Sequence, residues 1–134
     1  MKKLTLTILT CLIFLTPNVV LSDTFYDLVY RYGLWFKKFG QVPFTGNITG
    51  KSQGAIKNGK EDGAWVYYHD NGQLRAKVNY KNGRQEGNWV TYYDNGQLKY
   101  KGNYKNVGRE GAWVYYNKDG TVDNRLTGTY KNGK

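Results

Sequence analysis

Lys81 to Tyr104 reads KNGRQEGNWVTYYDNGQLKYKGNY, and the sequence on either side repeats it. Lys57 to Tyr80 reads KNGKEDGAWVYYHDNGQLRAKVNY, and Lys105 to Tyr130 reads KNVGREGAWVYYNKDGTVDNRLTGTY. Trp65, Trp89 and Trp113 consequently fall 24 residues apart. A fixed period of about 20 to 50 residues marks a repeat array, in which each unit buries its apolar face only against its neighbours.

Within each unit two short segments flank Asn71-Gly72, Asn95-Gly96 or Asp119-Gly120. Asn, Asp and Gly tolerate the positive φ that a two-residue type I′ turn demands, so each unit is expected to be a β-hairpin. A turn of that length pairs His69 with Leu74, Tyr67 with Ala76 and Trp65 with Val78. One face then carries Trp65, Tyr67, Leu74, Ala76, Val78 and Tyr80, and the other Val66, Tyr68, Arg75 and Lys77. In the next unit Trp89, Leu98, Tyr100 and Tyr104 stand opposite Val90, Tyr92, Lys99 and Lys101. A three-residue turn would slip the register by one and reverse the faces. The polar run Lys81 to Gly87 reads as a loop between hairpins. Stacked hairpins predict an all-β fold: one elongated antiparallel sheet of tandem repeats of about 24 residues, held by nearest-neighbour contacts. Its repeat core is Trp35, Trp65, Trp89, Trp113, Leu74, Leu98, Tyr80 and Tyr104, with Gly72, Gly96 and Gly120 at the turns.

The aromatic stretch before the repeats contains Gly33-Leu34-Trp35, so all four tryptophans lie in a Gly-x-Trp pattern. Residues 23–56 are read as an N-terminal cap and first divergent repeat, 57–80, 81–104 and 105–130 as repeats, and 131–134 as the start of a further unit. Residues 1–22 resemble an export signal: Lys2 and Lys3, an apolar run from Leu4 to Leu15, and Val20-Leu21-Ser22 before Asp23. Cleavage would place the chain in the periplasm or outside the cell. An uncleaved anchor would need about 20 apolar residues, more than this run supplies, and Cys11 lacks the small preceding residue of a lipid-modified site. Removing Lys2 and Lys3 from 20 basic residues against 10 acidic ones leaves a charge of about +8, which suits an anionic neighbour.

The unit KNGxxxGxWxxYYxxGQLxxxGNY resembles the bacterial variant of the MORN repeat, and Val42-Pro43-Phe44-Thr45-Gly46 resembles the opening of many such proteins. The resemblance covers Gly33 to the C-terminus. It implies a twisted sheet of hairpins without catalytic residues, used for binding or assembly. Bacterial members often carry the label of YwqK-type antitoxins, and MORN repeats in general are associated with protein scaffolding and membrane phospholipids. The third repeat departs from the pattern: Val107 displaces the usual Gly, and two residues are inserted before Gly128.

Candidate chemistry is sparse. The only His, His69, is replaced by Tyr93 and Asn117 in the later units, so it reads as a hairpin residue rather than a catalyst. Asp62, Glu86 and Glu110 recur before the repeat glycine, but equivalent repeat positions give carboxylates like environments, not the divergent ones paired acid–base work needs. No set of residues suggests a cofactor or metal, and the chain is read as non-enzymatic. The repeated feature is basic: Lys57, Lys81, Lys105 and Lys131 share one repeat position, while Arg75, Lys77, Lys99, Lys101 and Arg125 come from the second strands. Such a ladder serves either to bind an anionic lipid or polysaccharide, or to keep a long sheet soluble. Nucleic acid is disfavoured because no nucleic-acid fold signature accompanies the ladder. The expected partner is a protein, with an antitoxin-like role as the alternative, and the last hairpin offers an edge for self-association.

Overall fold

The computed structural model describes residues 22–134, so the export segment expected over 1–22 lies, but for Ser22, outside the described residues. Phe25–Asp27 forms a single 3-10 turn. Eleven strands follow among the described residues: β1 (Leu28–Arg31), β2 (Leu34–Lys37), β3 (Gly46–Ile48), β4 (Ser52–Lys57), β5 (Lys60–Tyr68), β6 (Leu74–Lys81), β7 (Arg84–Gln85), β8 (Gly87–Tyr92), β9 (Leu98–Lys105), β10 (Gly108–Tyr115) and β11 (Gly128–Tyr130). β1 and β2 make a separate hairpin, and β3 to β11 make one antiparallel meander with β3 and β11 at its edges. β7 and β8 both pair with β6, as two pieces of one interrupted strand. The all-β hairpin architecture is as the repeat pattern implies.

The turns are the reverse of the expectation. Two-residue turns with both residues at positive φ occur in the polar run read as a loop: Asn82 (φ 54°) and Gly83 (φ 76°) join Lys81 to its partner Arg84. Asn58-Gly59 and Asn106-Val107 do the same between β4 and β5 and between β9 and β10. At Asp70-Asn71-Gly72 the turn instead has three residues, because Gly72 N–H donates to His69 O (3.0 Å) and His69 N–H donates to Gln73 O (2.8 Å). Only Gly72 (φ 82°) is left-handed there. Asn71 spends its carboxamide oxygen on Gln73 N–H (3.0 Å), a side-chain turn that holds its own backbone out of the left-handed region.

A three-residue turn ought to reverse the faces, yet Trp65 still pairs with Val78 and Tyr67 with Ala76. The slip is absorbed one step from the turn, where Tyr68 rather than His69 pairs with Leu74 and Arg75 becomes an extra, bulged residue. The same compensation occurs at Lys99, between the Thr91–Tyr100 and Tyr92–Leu98 pairs. Leu74 and Leu98 are thereby taken from the expected core to partner Tyr68 and Tyr92, half-buried and outside the central cluster.

Gly-x-Trp is a second bulge. Between the Ala55–Asp62 and Gln53–Val66 pairs, three residues, Gly63-Ala64-Trp65, oppose Gly54 alone. Gly111-Ala112-Trp113 likewise opposes Gly102. Gly63 (φ 75°) and Gly111 (φ 72°) take the left-handed backbone that this needs. The indole then lies flat on the opposing glycine, where an added Cβ would come within 2.2 Å of Trp65 at Gly54 and 2.1 Å of Trp113 at Gly102. Trp65 and Trp113 are 0% and 1% exposed. In the middle repeat the opposing residue is Val78, and Trp89 is only half-buried. Gly33 does not belong to this set: it sits in the Tyr32-Gly33 turn, so Trp35 matches Glu61 by position and donates its indole N–H to that carboxylate (2.9 Å).

The core gathers at the N-terminal end, where Leu28, Phe44, Ile48, Ile56, Trp65, Ala76 and Val78 form one buried cluster. From it runs a line of aromatic contacts. Phe25 stacks on Trp65 (5.6 Å between centroids), and edge contacts follow through Tyr80, Trp89, Tyr104 and Trp113 to Tyr130, at 5.0 to 6.4 Å.

Candidate functional site

On the tryptophan face one cross-strand row reads Ser52, Tyr67, Ala76, Thr91, Tyr100, Tyr115. Two small residues side by side, Ala76 and Thr91, separate two tyrosines three strands apart, roughly 14 Å between backbones at the usual strand spacing. In the outer repeats the position of Thr91 is filled by tyrosine: Tyr67 stacks on Trp65 (6.0 Å) and Tyr115 on Trp113 (6.2 Å). Substituting Thr for that ring leaves a groove of about 440 Å³ in the middle repeat, open to solvent, with Val78, Tyr80 and Trp89 along one side.

Thr91 is 9% exposed, and its hydroxyl has no hydrogen-bond partner among the described residues. Tyr67 and Tyr80 hold their hydroxyls 3.5 Å apart, and burial raises the pKa of both phenols above the ordinary tyrosine range. They are neutral hydrogen-bonding groups at any physiological pH. Arg75 and Lys99, displaced by their bulges, stand at the groove mouth, with the Arg75 guanidinium 5.3 Å from the Tyr67 ring centre and the Lys99 ammonium 5.5 Å from that of Tyr93. Among the described residues neither takes part in an ion pair.

The basic residues read as one ladder are therefore divided among four places. Lys57, Lys81, Lys105 and Lys131 each precede an Asn-led turn at one end of the sheet. Arg75 and Lys99 border the groove. Lys77 and Lys101 lie on the opposite face in a second row, Gln53, Val66, Lys77, Val90, Lys101, Val114. Arg125 lies in the excursion between β10 and β11 made by the insertion, where its guanidinium donates to Asp123 (2.8 and 3.0 Å). The edge expected to recruit a second chain is β11, a three-residue strand paired with β10.

The recurrent carboxylates have a structural task. Asp62, Glu86 and Glu110 accept the backbone N–H of Asn82, Asn106 and Asn132 at 3.4, 3.2 and 3.0 Å, tying each two-residue turn to the preceding repeat. His69 contacts the Tyr92 carbonyl (3.0 Å) at the other end, beside Asn71, which donates to Asp94 O (2.8 Å). Thr91, which opens the groove, is not visible to a reading for what recurs, and Val78 is legible there only as a partner of Trp65. The signal of both is the opposite one: Thr91 stands where the neighbouring units have Tyr67 and Tyr115, and Val78 where they have Gly54 and Gly102.

Residues 61–82 and 85–106 each match the family model described as the MORN repeat variant. These two segments are thus similar to MORN-type repeats. No curated protein and no solved structure gives a significant match.

Proposed function

We propose that this chain is an exported, non-catalytic repeat scaffold whose sheet holds a protein or anionic envelope partner. The observation that carries the reading is the row on the face away from the tryptophans. Lys77 and Lys101 stand in register, separated by Val90 and flanked by Val66 and Val114. Two strand spacings put them about 10 Å apart, close to one Debye length at physiological salt, so their mutual repulsion is largely screened. The backbone pairing of β5, β6, β8 and β9 holds that spacing fixed, and a repeated anionic surface meets it with little side-chain reordering.

Immobilised chain, exposed to the native envelope fraction and washed with rising salt, tests this. Anionic lipid or polysaccharide should be retained at low salt and released at high salt, with retention falling several-fold in Lys77→Gln/Lys101→Gln. One protein held through high salt would instead assign a dedicated partner, the antitoxin-like case. Retention of neither class would overturn the scaffold reading.

A further inference from the structure

The groove of the middle repeat lies on the other face and calls for a different kind of ligand. Its volume, about 440 Å³, is in the lower part of the roughly 300 to 1,000 Å³ range of small-molecule sites. Its floor is small, its walls are aromatic, and its mouth carries two cations free of ion pairs among the described residues. Thr91 adds a buried hydroxyl without a partner. A buried polar group left unsatisfied costs free energy, which a ligand able to pair with it would recover.

We propose that this groove binds one hexuronic-acid unit of an acidic oligosaccharide, its ring seated over Ala76 and Thr91 between Tyr67 and Tyr100 and its carboxylate drawn to Arg75 and Lys99. A sugar ring presents apolar C–H faces to the tyrosines and hydroxyls to Thr91 and to the Tyr67 and Tyr80 phenols. An acyl chain would leave those hydroxyls unpaired, and a peptide carboxylate would satisfy the cations alone. Because the groove is open, neighbouring sugar units can continue along the surface. Arg75 and Lys99 bind here, whereas Lys77 and Lys101 serve the opposite face, so the two sites fail or succeed separately.

Trigalacturonic acid and its uncharged methyl ester are suitable probes, followed by calorimetry and by tryptophan fluorescence, to which Trp89 at the groove wall contributes. The acid should bind, and the ester at least tenfold more weakly. Thr91→Tyr, which restores the ring present at Tyr67 and Tyr115, should weaken acid binding at least tenfold while the melting midpoint holds. Thr91→Val keeps the volume and removes the hydroxyl, and should weaken binding several-fold even if the tyrosine variant folds poorly. Arg75→Gln/Lys99→Gln should weaken it tenfold or more, and Lys77→Gln/Lys101→Gln should leave it unchanged. The assignment is overturned if the wild-type chain does not bind the acid, if acid and ester bind alike, or if both Thr91 variants bind as wild type. Displacement of the acid by phosphatidylglycerol vesicles, lost in Thr91→Tyr, would give the groove to lipid and overturn it equally.

Discussion

Val107 carries the clearest conformational burden of any single side chain here. It occupies the second position of the Asn106-Val107 turn with φ 69°, where the equivalent turns have Gly59, Gly83 and Gly133. The left-handed region costs an L-residue about 1 to 2 kcal/mol, and a β-branched side chain is among the least suited to it. Val107 recovers little by burial, being 49% exposed. Val107→Gly should therefore stabilise the chain, less the roughly 0.5 to 1 kcal/mol that glycine's unfolded-state freedom takes back. The expected net gain is about 0.5 to 1 kcal/mol, read as a melting midpoint a few degrees higher. An unchanged or lower midpoint would mean that contacts of the valine, beside Glu86 and Asn106, outweigh its backbone cost.

Among the elements, the hairpins were legible from period and alternation, and their turns were not. Asn-Gly occurs twice in the middle and first repeats with different consequences. Asn82-Gly83 closes a two-residue turn, while Asn71-Gly72 ends a three-residue one because Asp70 precedes it and the Asn71 side chain bonds Gln73 N–H. A local dipeptide does not choose between these outcomes. The side chains around it do: Asn71 is held by its bond to Gln73 N–H, and the bulge at Arg75 lets the three-residue turn keep Trp65 opposite Val78. The faces near Trp65 nevertheless follow the alternation, because the bulge at Arg75 cancels the slip, whereas those of Leu74 and Arg75 depart from it. The groove inherits this: its aromatic walls follow from the repeat, and its cationic mouth follows only from the bulges.

The packed tyrosines of these hairpins give the elements a pH signature. Burial raises the pKa of Tyr67, Tyr80 and Tyr104 in the folded chain, while in the unfolded chain each phenol ionises near pH 10. Below about pH 10 both states are protonated and the packing is fully stabilising, but above it the unfolded state sheds protons that the folded state retains. Stability should thus be flat through neutral pH and fall as pH rises past about 10, with the tyrosinate absorbance that Tyr67→Phe removes appearing together with loss of β-sheet circular dichroism. Tyr67→Phe should shallow the alkaline slope. If that difference absorbance appeared well before unfolding, Tyr67 would be titrating in the native sheet, and burial would not be what governs it.

At the scale of the whole molecule, stability should be graded along the sheet rather than uniform. Repeats touch only their neighbours, so a defect is felt according to what lies on either side of it. Trp65 sits inside the cluster of Leu28, Phe44, Ile48, Ile56, Ala76 and Val78. Trp113, although as deeply buried, is held chiefly by Tyr100, Tyr104, Tyr115 and Tyr130 near the β11 edge. Replacing either indole by Ala should cost about 3 to 5 kcal/mol locally, a large part of the roughly 5 to 15 kcal/mol that holds a domain together. The consequences should differ. Trp65→Ala removes the centre to which the cap, β4, β5 and β6 are all packed, and amide exchange should accelerate across the entire sheet. Trp113→Ala should free β10 and β11 while β4 to β6 keep most of their protection. Trp89, half-buried over Val78, should be the mildest of the three, although it is central in sequence. Exchange measured strand by strand decides the matter: equal loss of protection throughout in Trp65→Ala and Trp113→Ala would make the sheet one cooperative unit, with the aromatic line coupling its ends as tightly as its neighbours.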